Sequence, residues 1–188
     1  MSCGITEEQL VLIYGIQPKV AKDWIEYINK ALEYADCNTP KRKAAFLAQI
    51  GYESGRLRYV REIWGPTKQQ LRYEGTDLAK RLGNTQVGDG FRYRGRGLIQ
   101  ITGRYNYKMT YQELLKDFPN VPNFEEQPEK LEEKFWAAIS AALYWNKHKL
   151  NKFSDEGNFV GLTVKINGGT NGLQERQELY IQGLAVLE

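Results

Sequence analysis

The sequence is poor in the side chains that build metal and redox centres. It has two cysteines, Cys3 and Cys37, and a single histidine, His148. The cysteines lack any metal-ligand spacing, and no His or Cys lies near His148 in the chain. No metal site and no cofactor is therefore expected, and both thiols are expected to be free, as in a reducing compartment. Nothing in the spacing supports a Cys/His nucleophilic pair. His148, in the run from Trp145 to Lys149, is expected on the surface near a helix C-terminus, where partial positive charge is favourable. Long apolar runs are also missing. No stretch approaches the ~20 residues needed to span a bilayer, so stable membrane insertion is not expected. The first nine residues have neither the basic start nor the apolar run of a signal peptide. Strong charge of one sign is absent too. Lys and Arg exceed Asp and Glu by 26 − 23 = 3, too little to argue for nucleic acid, and no basic patch interleaved with aromatics is present. There is no internal repeat, low-complexity segment or linker, so residues 1–188 read as a single domain, in one lobe or two.

What is present suffices for a core. Apolar residues make up 41% of the chain, and their spacing is mostly helical. Thr6-Glu7-Glu8-Gln9 is a capping-box pattern that opens a short helix closed by Gly15. From Pro18 to about Ala35, Val20, Trp24, Ile28 and Leu32 follow at i+4 steps and read as packing between helices. Further helices are expected over 68–73, 76–82, 107–118, 128–149, 158–166 and 173–184. Loops are expected over 83–90 and 150–157, and a tight turn over 167–172. The 12 tyrosines and 4 tryptophans would suit a surface that stacks on sugar rings, although filler around the core also explains most of them.

Two stretches carry chemistry. In the first, Thr39 can cap a helix that starts at Pro40 and stops at Gly55. Phe46, Ile50 and Glu53 are spaced i, i+4, i+7 and share one face. That face is apolar until its last member. A carboxylate there, at the negative end of the helix dipole, is suited to keep a proton and give it to a leaving oxygen. Glu62 follows nine residues later in a loop. Two carboxylates, one in an apolar and one in a polar setting, are the equipment of glycoside hydrolysis. The plainer reading leaves Glu53 facing water and pairs Glu62 with Arg58 or Arg61. The second stretch is Phe91 to Tyr107. Arg94-Gly95-Arg96-Gly97 brings backbone close to a neighbour and adds two cations, whose partners would be acidic side chains, Glu62 among them. The phosphate-binding glycine patterns are absent. Leu98-Ile99-Gln100-Ile101-Thr102 is the best strand candidate, and a strand would place Gln100 and Thr102 on one face.

The blocks Phe46 to Gly55, Leu57 to Thr67, Tyr93 to Tyr107 and Ile166 to Gly169 together resemble glycoside hydrolase family 19, in that family's order. They are more similar to its bacteriophage endolysin branch than to its plant chitinases. The resemblance implies a mainly α, lysozyme-like, two-lobed helical domain with a minor β element and a central cleft. It implies hydrolysis of β-1,4 bonds in an N-acetylated glycan: peptidoglycan for an endolysin with muramidase activity that lyses a host cell, or chitin for a chitinase. By motif, Glu53 matches the general acid, Glu62 the general base, and Thr102 the hydroxyl that holds the attacking water. Gln100, Asn106, Tyr107 and Asn167 match sugar-binding or water-positioning positions. Arg176 falls where the family has an arginine near the acidic pair. The family usually has His before the acid. Here it is Tyr52, a candidate substrate contact that donates a hydrogen bond but does not titrate near neutral pH. Inversion at the anomeric carbon is associated with the family and implies a carboxylate separation of roughly 6.5–9.5 Å. The endolysin reading further implies a monomer held in the host cytoplasm, a separate holin-type factor for release, and a thin Gram-negative wall as target, since no wall-binding domain is apparent.

Overall fold

A computed structural model of the chain describes residues 4–188; Cys3, and with it the expectation of a free thiol there, lies outside them. The chain divides into two compact units, one made of Met1–Arg58 and Ala141–Glu188, the other of Tyr59–Ser140.

The first unit is helical throughout. It holds α1 (Glu7–Tyr14), α2 (Pro18–Tyr34) and α3 (Pro40–Glu53). The Thr6 capping box and the Gly15 stop are both present, with Gly15 left-handed at φ 62°. Trp24, Ile28 and Leu32 are buried as their i+4 spacing requires. Thr39 caps α3 by accepting from the Arg42 N–H, and Pro40 occupies the first turn. Such a cap is worth about 1 kcal/mol. The α3 face from Ala44 to Gly51 is sealed completely, with Phe46 set edge-on to Trp145 at 5.1 Å between centroids. After Asn151–Asp155 (the unit's next short helix) come Phe159–Asn167 and Leu173–Leu187. The last of these lies against α3, where a Cβ on Gly183 would sit 3.0 Å from the Ala44 Cβ. The expected polar loop over 150–157 thus contains a helical turn, tied down by Asn151. Its Oδ1 accepts from the Trp145 Nε1–H at 2.8 Å and its Nδ2 donates to the Ala35 carbonyl at 2.8 Å.

The second unit contains short helices over Lys68–Leu71, Asp77–Arg81 and Asp89–Arg92, then Arg104–Leu114 and a 3-10 turn over Pro128–Glu132. A further helix, Lys134–Lys147, starts in this unit and continues past its boundary. Four expectations fail here. The single helix over 128–149 is broken at Glu133, whose backbone is extended (ψ 133°). The Glu133 carbonyl accepts from Ala137 N–H and so starts the helix that follows. No Gly or Pro marks the break. The 3-10 turn buries Pro128 and Leu131 while Glu132 takes two arginines. The helix expected over 107–118 begins earlier, at Arg104, and the last two residues of the loop expected over 83–90 belong to a helical turn, Asp89–Arg92. The strand expected over 98–102 is a turn. Among the described residues the only β pairing is two single-residue bridges, Arg61 with Arg96 and Arg96 with Ile101. Gly97 adopts φ +93°, and Leu98 N–H donates to the Ala137 carbonyl instead of to a strand. Leu98 and Ile99 are then both buried, which an alternating strand does not allow. Among the described residues no helix is long and apolar enough to cross a membrane.

Candidate active site

In the first unit the site is built around Glu53, the last residue of α3. The chain leaves it through an unusual turn. Gly55, Arg56 and Leu57 all have positive φ (57°, 60° and 68°). Left-handed backbone costs a non-glycine residue about 1–2 kcal/mol. Burial of Leu57, the Leu57 N–H to Ser54 Oγ bond (2.8 Å) and the Arg56 N–H to Gly51 carbonyl bond (2.6 Å) offset it. The helix therefore stops at the carboxylate and does not carry it past the core.

Glu53 keeps 23% of its side-chain exposure and faces a cation: Arg176 Nη2 is 2.5 Å from its Oε1. The setting expected from the apolar stripe is thus only half the picture, because an ion pair joins it. Arg176 is itself 0% exposed. Its Nη1 donates to Gln49 Oε1 (2.5 Å), its Nε to the Asn171 carbonyl (3.1 Å), and Gln49 Nε2 donates on to Thr163 Oγ1 (3.0 Å). The Tyr52 ring lies 4.1 Å from the Arg176 guanidinium carbon. Arg176 therefore holds Glu53 from a fully buried position. Tyr52, in the position of the family histidine, acts on Arg176 through its ring. Asn167 stands exposed at the end of its helix, and left-handed Gly168 (φ 75°) caps it within the stretch expected as a tight turn. Tyr144 is close enough to sense Glu53: burial first, and the Glu53 charge second, push its phenol up. His148 packs on Tyr144 at 4.2 Å. Burial, then Lys165 and Lys147, push the imidazole down, so the positive charge expected there is not favoured.

Gly172 closes this arrangement. A Cβ there would lie 2.0 Å from Tyr52 Cζ, at φ +66°. Gly172→Ala is expected to dislodge the ring that backs Arg176. The strained backbone alone costs about 2 kcal/mol, or about 4–8 °C in thermal midpoint for a chain of this size, and activity falls with it. Calorimetry and a hydrolysis assay check this; an unchanged midpoint and rate would contradict the placement of Tyr52.

In the second unit the site is built around Glu62. Its backbone N–H donates to the Gly95 carbonyl (2.8 Å), and its Oε2 accepts from Gly95 N–H (3.0 Å). Oε1 accepts from Tyr73 Oη–H (3.2 Å). Gly95 is required for space. An added Cβ would meet Gln100 Oε1 at 2.5 Å, so Gln100 covers the residue that grips Glu62. Thr102 is half-buried, and its carbonyl accepts from Asn106 Nδ2 (2.7 Å), with Asn106 exposed. Tyr107 is 0% exposed. It donates to the Arg94 carbonyl (2.5 Å) and accepts from Arg96 Nη1 (2.8 Å). It braces the Arg-Gly-Arg-Gly loop from a fully buried position. Arg96 pairs with Glu132 at 2.7 Å, and Arg61 reaches the same carboxylate at 3.4 Å. The acidic partner of the loop is therefore Glu132, where Glu62 had been the functional expectation.

Burial first, then the charge and hydrogen bond of Glu62, push the Tyr73 phenol up to about 12. Tyr73 therefore remains a donor to Glu62 well into alkaline pH. The sign follows from linkage: the phenol ionises near 10 when the chain unfolds and near 12 when folded. Its contribution to stability is intact below pH 10 and is lost as pH rises through 12. Other buried tyrosines act likewise, so the difference between wild type and Tyr73→Phe is the informative quantity. Wild type is expected to lose more thermal stability than Tyr73→Phe between pH 10 and 12, and parallel curves would contradict it.

Sequence reasoning missed Gln49, Thr163, Tyr73 and Tyr144. Only Gln49 carried a signal, as a polar residue one turn before Glu53 in an otherwise apolar run.

No family model matches the chain. A glycosyl hydrolase family 19 domain-containing protein from Haemophilus influenzae is 32% identical to it over 190 residues, covering 88% of this chain and 90% of that protein. Chitinase C from Streptomyces griseus superposes with a TM-score of 0.70 at 21% identity, over 97% of this chain and 76% of its own. A bacterial family 19 chitinase does so at 0.69 and 21%, over 97% and 94%. At that identity and coverage the chain belongs to glycoside hydrolase family 19, and it is a glycoside hydrolase with the helical, lysozyme-like fold of the family 19 chitinases.

Proposed function

We propose that the protein is an endolysin that hydrolyses the β-1,4 bonds of the peptidoglycan glycan strand by inverting general acid/base catalysis. Glu53 gives its proton to the leaving oxygen. Glu62 takes a proton from the attacking water, which Thr102 helps to hold. Asn106, Asn167 and Gln100 contact sugar or water. The observation that carries this reading is the different company kept by the two carboxylates. Glu53 sits at a helix end against a fully buried arginine. Glu62 is held by two neutral donors, Gly95 N–H and Tyr73 Oη–H, which align its oxygens and leave it free to accept a proton. Two carboxylates held in different settings are the equipment of glycoside hydrolysis.

Inversion is tested by proton NMR of freshly released product. Cleavage of a β bond is expected to give the α anomer first, and the β anomer first would sink the single-displacement step. The substrate is tested by comparing rates on purified Gram-negative peptidoglycan and on N-acetylglucosamine oligomers. A preference for the oligomers would make the protein a chitinase, the second reading, which the chitinases among its structural neighbours favour.

A further inference from the structure

One group of charges is not used by that mechanism. Arg61 and Arg96 face each other in a bridge and share one carboxylate, Glu132. Arg96 is satisfied: it also donates to the Arg92 carbonyl (2.7 Å) and to Tyr107 Oη (2.8 Å). Arg94 is not. It is 9% exposed, and its guanidinium carbon lies 4.1 Å from the Phe91 ring centroid. The bond from its Nη1 to the Phe91 carbonyl (2.8 Å) is the single hydrogen bond its side chain donates among the described residues. Its Nε is buried without a partner. Burial, then the charges of Arg96 and Arg61, push its pKa down, as expected of a cation crowded by others. Three guanidiniums against one carboxylate leave this cluster two charges in excess.

The cluster also adjoins the base. Arg61 precedes Glu62 in the chain, and Gly95, which follows Arg94, donates its N–H to the Glu62 carboxylate. Arg61 is 52% exposed at its side chain, so an anion has access to it. A guanidinium with spare N–H groups suits a carboxylate, which can accept two parallel hydrogen bonds from it. A polymer of N-acetylglucosamine offers no carboxylate. A peptidoglycan strand offers those of its peptide stem, or of the lactyl ether where the stem has been removed.

Building on the peptidoglycan reading, we propose that Arg61 and Arg94 form a carboxylate-reading subsite beside Glu62, which selects an acidic glycan over a neutral one. The test uses three forms of one substrate: intact peptidoglycan, strands stripped of their stems by an amidase, and peptidoglycan whose carboxylates have been converted to amides. Wild type is expected to cleave intact peptidoglycan with a kcat/KM about 10–100-fold above the amidated form, the scale of hydrogen bonds to a charged group. In Arg61→Gln and Arg94→Gln that ratio should fall toward one. Because the readout is a ratio within each variant, a general loss of activity does not imitate the effect. Exposed Arg61 serves where Arg94→Gln folds poorly. If stripped strands also outpace amidated ones, the subsite takes the lactyl carboxylate as well as those of the stem; if only intact strands do, the stem alone is the ligand. Equal wild-type rates on charged and amidated peptidoglycan would overturn the subsite and leave the muramidase reading standing. No cleavage of any peptidoglycan form would overturn both.

Discussion

Glu53→Gln is expected to abolish nearly all hydrolysis while leaving the protein folded and able to bind glycan. Loss of a general acid costs on the order of 10²–10⁴-fold in rate. The amide keeps the shape of the side chain and an oxygen that can accept from Arg176, so the contact at 2.5 Å survives without its charge. Glu62→Gln is expected to lose activity on the same scale: its one amide oxygen can still accept from Gly95 N–H and its NH2 can donate to Tyr73 Oη, but the amide cannot take a proton from water. Single-turnover rates and a glycan-binding measurement on both variants separate chemistry from affinity. A Glu53→Gln enzyme that cleaves as fast as wild type would remove Glu53 from the mechanism.

The largest loss of stability is expected from Arg176→Ala. The guanidinium is fully buried and serves Glu53, Gln49 and the Asn171 carbonyl together. Truncation leaves three acceptors short of a donor and opens a cavity under the Tyr52 ring. Breaking a buried pair from one side costs about 3–5 kcal/mol. Glu53 retains some exposure and recovers part of its hydration, so we take about 3 kcal/mol. That corresponds to about 6–12 °C in thermal midpoint for a chain of this size. Arg176→Lys should recover part of the stability, since it keeps the charge, and little of the activity, since a point charge cannot serve three acceptors in a plane. Full stability in Arg176→Ala would show that the network contributes nothing to the fold.

Local rules made much of this molecule readable. The Thr39 cap, Pro40 in the first turn and Gly55 just past the end placed α3 and its terminal Glu53 correctly, because each acts through neighbours in the chain. The i+4 series of α2 and the turn after the helix that ends at Asn167 were legible for the same reason. What escaped depends on distant partners. The break at Glu133 has no Gly or Pro to announce it. It serves Glu132, whose two arginines come from residues 61 and 96. The apolar run at 98–101 imitates a strand, yet Gly97 bends the chain and Leu98 bonds to Ala137. Burial of Tyr107 and Arg176 could not be read either. A polar tyrosine or arginine in a motif does not reveal by itself which backbone and side chains it satisfies.

The most direct measurement is the new reducing end made in the substrate. Purified Gram-negative peptidoglycan is digested, reduced with borohydride, and the labelled sugar identified. Reduced muramic acid is the result predicted for a muramidase working through Glu53 and Glu62, and it should vanish in Glu53→Gln. Reduced glucosamine, or no new reducing end where N-acetylglucosamine oligomers are cleaved, would contradict that assignment.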